Sequence, residues 1–210
     1  MLKHMTFFSR LLTLVGLIAL CHNGYGQIII TEIADPNDNA DARFVELYNL
    51  GDTAVDLNGY YLQRWTNDSA SPTTNTTPLS GTLESKDFYI VARSSSVFQT
   101  IYGFAADKTD GSGSPADSNG DDQIALMNSN GEVVDMFGKV GEDGSGTCHE
   151  FEDGRAERVA SVTNAVAVWN EAEWNVWADS PVSGCTSHTN APRTAATDFD
   201  PGEWIGHIVL

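Results

Sequence analysis

Between residues 27 and 141, apolar positions either alternate with polar ones or gather in short β-branched runs. The three- and four-residue spacing of an amphipathic helix is scarce there. Ile28 to Ile33 is a β-branched run. Val45 and Leu47 alternate with Phe44, Glu46 and Tyr48, the period-two signature of a half-buried strand. Tyr60 to Trp65 makes a further strand entered through Asn58-Gly59, and a Ser/Thr-rich loop runs from Thr66 to Ser80. Asp87 to Ala92 is apolar enough to lie centrally. Asp122 to Met127 and Glu132 to Phe137 flank Asn128-Ser129-Asn130-Gly131, a hairpin in which Asn-Gly supplies the positive φ of the turn. Short strands broken by frequent turn signals predict an all-β sandwich.

From Glu142 the pattern changes, and residues 142–210 read as a loop-rich C-terminal extension. Trp169-Asn170-Glu171-Ala172-Glu173-Trp174 and Phe199-Asp200-Pro201-Gly202-Glu203-Trp204 form an internal repeat. Asn170 and Asp200 stand where a short helical turn is capped, with Glu173 and Glu203 three residues on. Pro201 sits at the first helical position, where a missing N–H costs nothing. Trp174 and Trp204 are expected to point back onto the sandwich as anchors, the alternative being an exposed aromatic surface. Whether the extension adds strands or only wraps the sandwich is open at this stage.

The N-terminus carries Lys3 and Arg10, then the apolar core Leu11 to Leu20, then Gly24-Tyr25-Gly26 before Gln27. That is the layout of a secretory signal peptide over residues 1–26, too short to span a bilayer. Lipid attachment at Cys21 is the weaker alternative, because Leu20 is larger than such sites accept. A secreted or extracytoplasmic protein is expected, with no membrane partner after cleavage. Cys148 and Cys185 are then an even pair in an oxidising compartment, the setting of a disulfide. The net charge is −18, from 29 acidic and 11 basic residues. Such an excess repels phosphate backbones and anionic lipid, which argues against nucleic acid as a partner.

Residues 28–138 resemble a lamin tail domain. The stations that carry the resemblance are Ile30 to Ile33, Phe44 to Asn49, Gly51 to Leu62, Leu83 to Val91 and Gly120 to Phe137, with the hairpin Asn128 to Asp135 among the more telling. The resemblance covers about half the chain. The loop Ala105 to Asp122 departs from it, being longer and more acidic than such a fold requires. The resemblance implies an immunoglobulin-like β-sandwich that binds or braces partners and rarely does chemistry. Bacterial lamin-tail-like domains often accompany secreted nucleases, phosphatases or proteases, and those of nuclear lamins bind proteins. Glu-Trp turns like those of the tail accompany some secreted members.

Candidate chemistry is sparse. Asp35, Asn37, Asn39 and Asp41 place oxygen donors at every second position, with Glu46 at the twelfth and Glu32 on the adjacent strand, as a calcium site would use. Ala40 stands where an EF-hand needs Gly, and the flanks are strands, which argues against an EF-hand while leaving a calcium site in a sandwich loop open. The same residue types also build an Asx-rich turn. Asp117-Ser118-Asn119-Gly120-Asp121-Asp122 is a second acidic loop, and Glu150, Glu152 and Asp153 a third cluster. His149, His188 and His207 show no metal-ligand spacing, with His149 expected on an exposed loop. No Gly-x-Ser-x-Gly elbow or phosphate loop is present. Carboxylate pairs for glycoside hydrolysis are many, and none ranks first. Trp65, at a strand end, and Trp177 are the aromatics expected to be exposed for ligand stacking.

These readings point to a secreted, non-enzymatic binding or structural module, stiffened by Ca2+, that contacts a protein or cell-surface polymer. The rival is a small metal-dependent secreted hydrolase, or an accessory domain of an extracellular nuclease or phosphatase system. A third is an adhesin or matrix component working in multiple copies.

Overall fold

The computed structural model describes residues 27–206; residues 1–26, where a signal peptide is expected, and His207 lie outside them. Along the chain come β1 (Ile28–Ala34), β2 (Phe44–Asn49), β3 (Val55–Asp56), β4 (Tyr61–Trp65), β5 (Thr77–Pro78), β6 (Thr82–Leu83) and β7 (Phe88–Ala92). They are followed by α1 (Ser95–Tyr102), β8 (Lys108–Thr109), β9 (Gln123–Met127), β10 (Val133–Phe137), β11 (Arg155–Arg158), β12 (Trp174–Ala178) and β13 (His188–Asn190). A seven-stranded sheet runs β13-β12-β11-β1-β2-β7-β8, a four-stranded sheet runs β10-β9-β4-β5, and β3 pairs with β6. The two larger sheets enclose one core and form the expected all-β, immunoglobulin-like sandwich.

β1 is buried along its whole length, which explains why its sequence shows no alternation. Ile28 and Ile30 face the core with Val45, Leu47, Leu62, Ile124 and Leu126, whereas Ile29 faces outward onto Tyr48 and Trp204. A bulge between Ile30 and Glu32 inserts one residue and reverses the facing, so Ile33 rejoins the core and Glu32 turns outward opposite Glu46. β10 carries a similar shift between Val133 and Asp135. Val134 and Phe137 therefore enter the core, and Met136 and Val133 lie on the outer face of the four-stranded sheet. The hairpin before β10 forms as expected, with Gly131 at φ 77 and Asn128 and Glu132 joined backbone to backbone at 3.0 Å.

The C-terminal extension both adds strands and wraps the sandwich. β11 pairs directly with β1, and β12 with β11, so the strands of the extension complete the large sheet. The first Glu-Trp turn is a 3-10 turn at Glu171–Glu173 capped by Asn170, whose Oδ1 accepts the Ala172 amide at 3.3 Å. The second is a turn closed by the Glu203 amide on the Asp200 carbonyl at 3.0 Å, because the Asp200 side chain is drawn to Arg155 instead of capping it. Trp174 and Trp204 are both buried anchors. The disulfide Cys148–Cys185, with Cα atoms 5.4 Å apart, ties the loop before β11 to the loop after β12.

α1 was not legible in the pattern. It has eight residues, a single fully buried one, and closes on Gly103 at φ 87. Its Phe98 and Tyr102 rings meet Phe44 edge-on at 5.6 and 5.5 Å, covering the outer face of β2. Among the described residues, no helix is long and apolar enough to cross a membrane.

Candidate functional site

The oxygen donors expected to hold calcium are not brought to one point. Asp35 is buried, and its Oδ1 accepts Arg43 Nε at 2.6 Å while Oδ2 accepts the Asp153 amide at 3.2 Å. Burial lifts its carboxyl to about 6, against the pull of Arg43. Asn37 is exposed and accepts the Thr194 hydroxyl at 3.3 Å. Asn39 caps the 3-10 turn Ala40–Ala42 by accepting the Asp41 amide. Asp41 pairs with Arg93 at 2.5 Å. The alternating spacing is thus an Asx-rich turn that also docks the tail, since Asp38 accepts the Ala195 amide at 2.8 Å. Arg43 and Arg93 pair with the carboxylates of Asp35 and Asp41 in this loop.

Glu32 and Glu46 lie opposite each other on the outer face of the large sheet, yet neither sees solvent. A strap formed by residues 198–204 crosses that face. Phe199 enters the Phe44 cluster at 6.2 Å, and Trp204 stands 5.3 Å from Tyr48 with its indole N–H on the Arg158 carbonyl at 2.6 Å. Between these anchors, Glu46 accepts the Gly202 amide at 2.5 Å and the Thr31 hydroxyl at 2.7 Å. Arg155 stands 3.1 Å from Glu32, 2.8 Å from Glu157 and 2.7 Å from Asp200. Three carboxylates compete for one guanidinium, and Asp200 is the one among them that is open to solvent. Burial pushes Glu46 up to about 8 and Glu32 well above the usual carboxylate range, against Arg155. Burial raises Glu157 too. The group ties the strap to the large sheet through Glu46, Arg155 and Asp200.

The second acidic loop is likewise neutralised from within. Asp117 pairs with Arg43 at 3.1 Å and Arg93 at 2.6 Å, and Asp122 with Arg64 at 3.3 Å. Although partial burial works against it, the Gly113 amide and the two arginines hold Asp117 below its ordinary value. From the third cluster, Glu150 and Glu152 converge with Asp179, not Asp153, each offering a carboxylate oxygen within 4.8 Å of the others. Glu150 already accepts the Gly146 amide at 2.6 Å.

The aromatic and histidine expectations need correction. Trp65 is 8% exposed, packed with Ala125, Met127 and Met136. Trp177 is partly exposed, but Arg155 and Arg193 lie over its ring at 5.6 and 4.8 Å, so its stacking faces already hold cations. His149 is buried between Phe137 and Trp169, and burial lowers its pKa. Its period-free setting gave no sign of that burial.

Among the described residues, one apolar concave surface lies on the outer face of the four-stranded sheet, a face that in a solvated sandwich would be polar. A groove of about 370 Å³ runs along β10, its floor made by Trp65, Val133 and Met136. Val140 forms one wall with Lys139, and Val168 and Trp169 form the other. Val168 is 75% exposed and Val140 41%. Lys139 is the groove's one charged lining residue, and it is held by Glu142 at 2.8 Å. The lining is mostly apolar and holds no carboxylate, histidine, serine or cysteine, and its lysine is paired with Glu142. Sequence reading singled out Trp65 for a ligand but missed its partners, because Val140 and Val168 come from segments without periodicity.

Comparison with known proteins matches the family model described as Lamin Tail Domain to residues 22–141, more than half of the chain. No curated protein matches it. The matched span contains β1 to β10 and ends before the three strands that complete the large sheet.

Proposed function

The chain belongs to the Lamin Tail Domain family, and from that premise we propose that it is a secreted, non-enzymatic binding module whose contact surface is the apolar groove beside β10. The family is an immunoglobulin-like domain, compatible with a binding or structural role. The disulfide and the lack of a membrane-crossing helix among the described residues are compatible with an extracellular location. Secretion draws its support from the signal-peptide layout of residues 1–26.

The observation that carries the reading is the chemistry of the groove. Contiguous exposed apolar surface is costly to keep, and on soluble proteins it marks interaction sites. Acids that a metal-dependent hydrolase would need, Asp35, Asp41 and Glu46, are committed to Arg43, Arg93 and the strap. Those commitments support a scaffold that binds and does not turn over substrate.

The test places a photo-crosslinking side chain at Val168 of the full chain and, as a reference, at the exposed Asp56 on β3. Discrete adducts from Val168 and none from Asp56, with no turnover across a hydrolase substrate panel, are expected. Metal-dependent turnover, or equal labelling from both positions, would overturn the reading.

A further inference from the structure

We propose that the groove takes the apolar side chains of an extended, basic peptide segment of a partner protein. The inference rests on the binding-module reading and adds the occupant. A volume of about 370 Å³ lies within the range of roughly 300–1,000 Å³ that holds small ligands or a few side chains. Its walls are carbon: two indoles, a thioether and three valines, with the exposed valines at the rim. Two or three aliphatic or aromatic side chains presented along one line fill such a trough, and the flat tryptophans lose little entropy in meeting them.

Charge selects the rest of the segment. Glu132 is exposed at the Val133 end, where one of its oxygens accepts the Asn128 amide at 2.8 Å. At the other end, Glu142 answers the single lysine and Asp143 is exposed beside it. The chain as a whole has a net charge of −18. A cationic segment is therefore drawn in and an acidic one repelled, and the lysines of the peptide flank its apolar residues at both rims. The same charge opposes docking onto anionic lipid.

The probe is a fluorescein-labelled peptide, Lys-Leu-Lys-Phe-Lys-Leu-Lys, titrated with the full chain while anisotropy and intrinsic tryptophan fluorescence are followed. Saturable binding in the micromolar range is expected, with a tryptophan change from Trp65 and Trp169, and weakening on added sodium chloride. Val168→Asp, at an exposed position that leaves the melting temperature unchanged, is expected to weaken binding by at least about tenfold. A peptide with serine in place of its leucines and phenylalanine should lose at least as much. Equal binding of the serine peptide, equal binding of a glutamate-for-lysine peptide, or an unaffected Val168→Asp protein would each overturn the proposal. Uptake of a small apolar dye without the peptide would also overturn it in favour of a small-molecule site. If the peptide fails but Val168 still cross-links to a partner, the occupant falls and the module reading stands. If both fail, both fall.

Discussion

The Asp135 carboxylate on β10 meets the Arg158 guanidinium on β11 where neither side chain has any exposure. Asp135 also accepts the amides of Ile30 at 2.8 Å and Val166 at 2.9 Å. Arg158 donates to the Ile30 carbonyl at 3.1 Å and to Glu173 at 2.8 Å, and lies 4.1 Å from the Trp174 ring. The pair bolts the edge of the four-stranded sheet to the middle of the seven-stranded one.

Removing one partner strands the other. Asp135→Ala should destabilise the protein by about 3–5 kcal/mol, the cost of an uncompensated buried charge plus two orphaned amides. Urea denaturation measures it. The double variant Asp135→Leu with Arg158→Met should lose clearly less than the two single losses added, because no fully buried lone charge then remains and Glu173, freed from Arg158, is partly exposed to solvent. Additive losses would show that the pair is not coupled.

Burial raises the Glu46 carboxyl against the opposing pull of the Gly202 and Thr31 hydrogen bonds. Glu46 is raised from 4.5 in the free residue to about 8 in the fold, so the folded state binds its proton more tightly than the unfolded chain does. The stability it contributes is complete below about pH 4.5 and is lost as the pH rises through about 8. Glu32 and Glu157 are raised by burial and act in the same direction, while Arg155 limits the effect. Hydrogen exchange of the Gly202 amide should therefore be slower, after correction for intrinsic rates, at pH 6 than at pH 9. Glu46→Gln should flatten that dependence. A profile that runs the other way would mean the carboxyls are ionised throughout.

The strap's anchors carry its docking energy. Trp204→Ala removes a buried indole and its hydrogen bond to Arg158, at a cost of about 3–5 kcal/mol. Chymotrypsin should then cut at Phe199 under conditions in which the parent protein resists, with mass spectrometry locating the cut. Resistance equal to the parent would show that Phe199 and Gly202 suffice.

Reduction should act on the whole fold. The Cys148–Cys185 link spans 37 residues and contributes about 4 kcal/mol on the chain-entropy account. Paired serine substitutions should lower the melting temperature by several degrees. Added reductant should lower that of the parent protein and leave the serine variant unmoved.

Strand positions were readable because β2 alternates Val45 and Leu47 toward the main core with Phe44, Glu46 and Tyr48 toward the strap side, both sides being buried, and because β1 is β-branched and wholly buried. Trp174 was readable because Asn170 caps its turn locally, and Trp204 because it repeats that local pattern, although the backbone alone closes its turn. The fate of Glu32 and Glu46 was not readable. Local spacing shows two carboxylates on an outward face, and the strap that seals that face arrives more than 150 residues later in the chain. Likewise, nothing near Asp35 or Asp41 announces Arg43 and Arg93 as their partners, since the choice between a cation and a guanidinium is made by the fold. Trp65 looked exposed from its place at a strand end, but Ala125, Met127 and Met136 on neighbouring strands enclose it. α1 escaped because one buried phenylalanine in eight residues leaves no stripe to detect.

β1 lies between β2 and β11, so the first strand of the sandwich finds one of its two neighbours only in the last third of the chain. A fragment cut at residue 141, where the family match stops, would leave an Ile-rich backbone edge without its cover, inviting neighbouring molecules to supply it. Expression work on this protein is accordingly best done without trimming the tail. During synthesis, the interval before β11 emerges is when clumping is the greatest hazard.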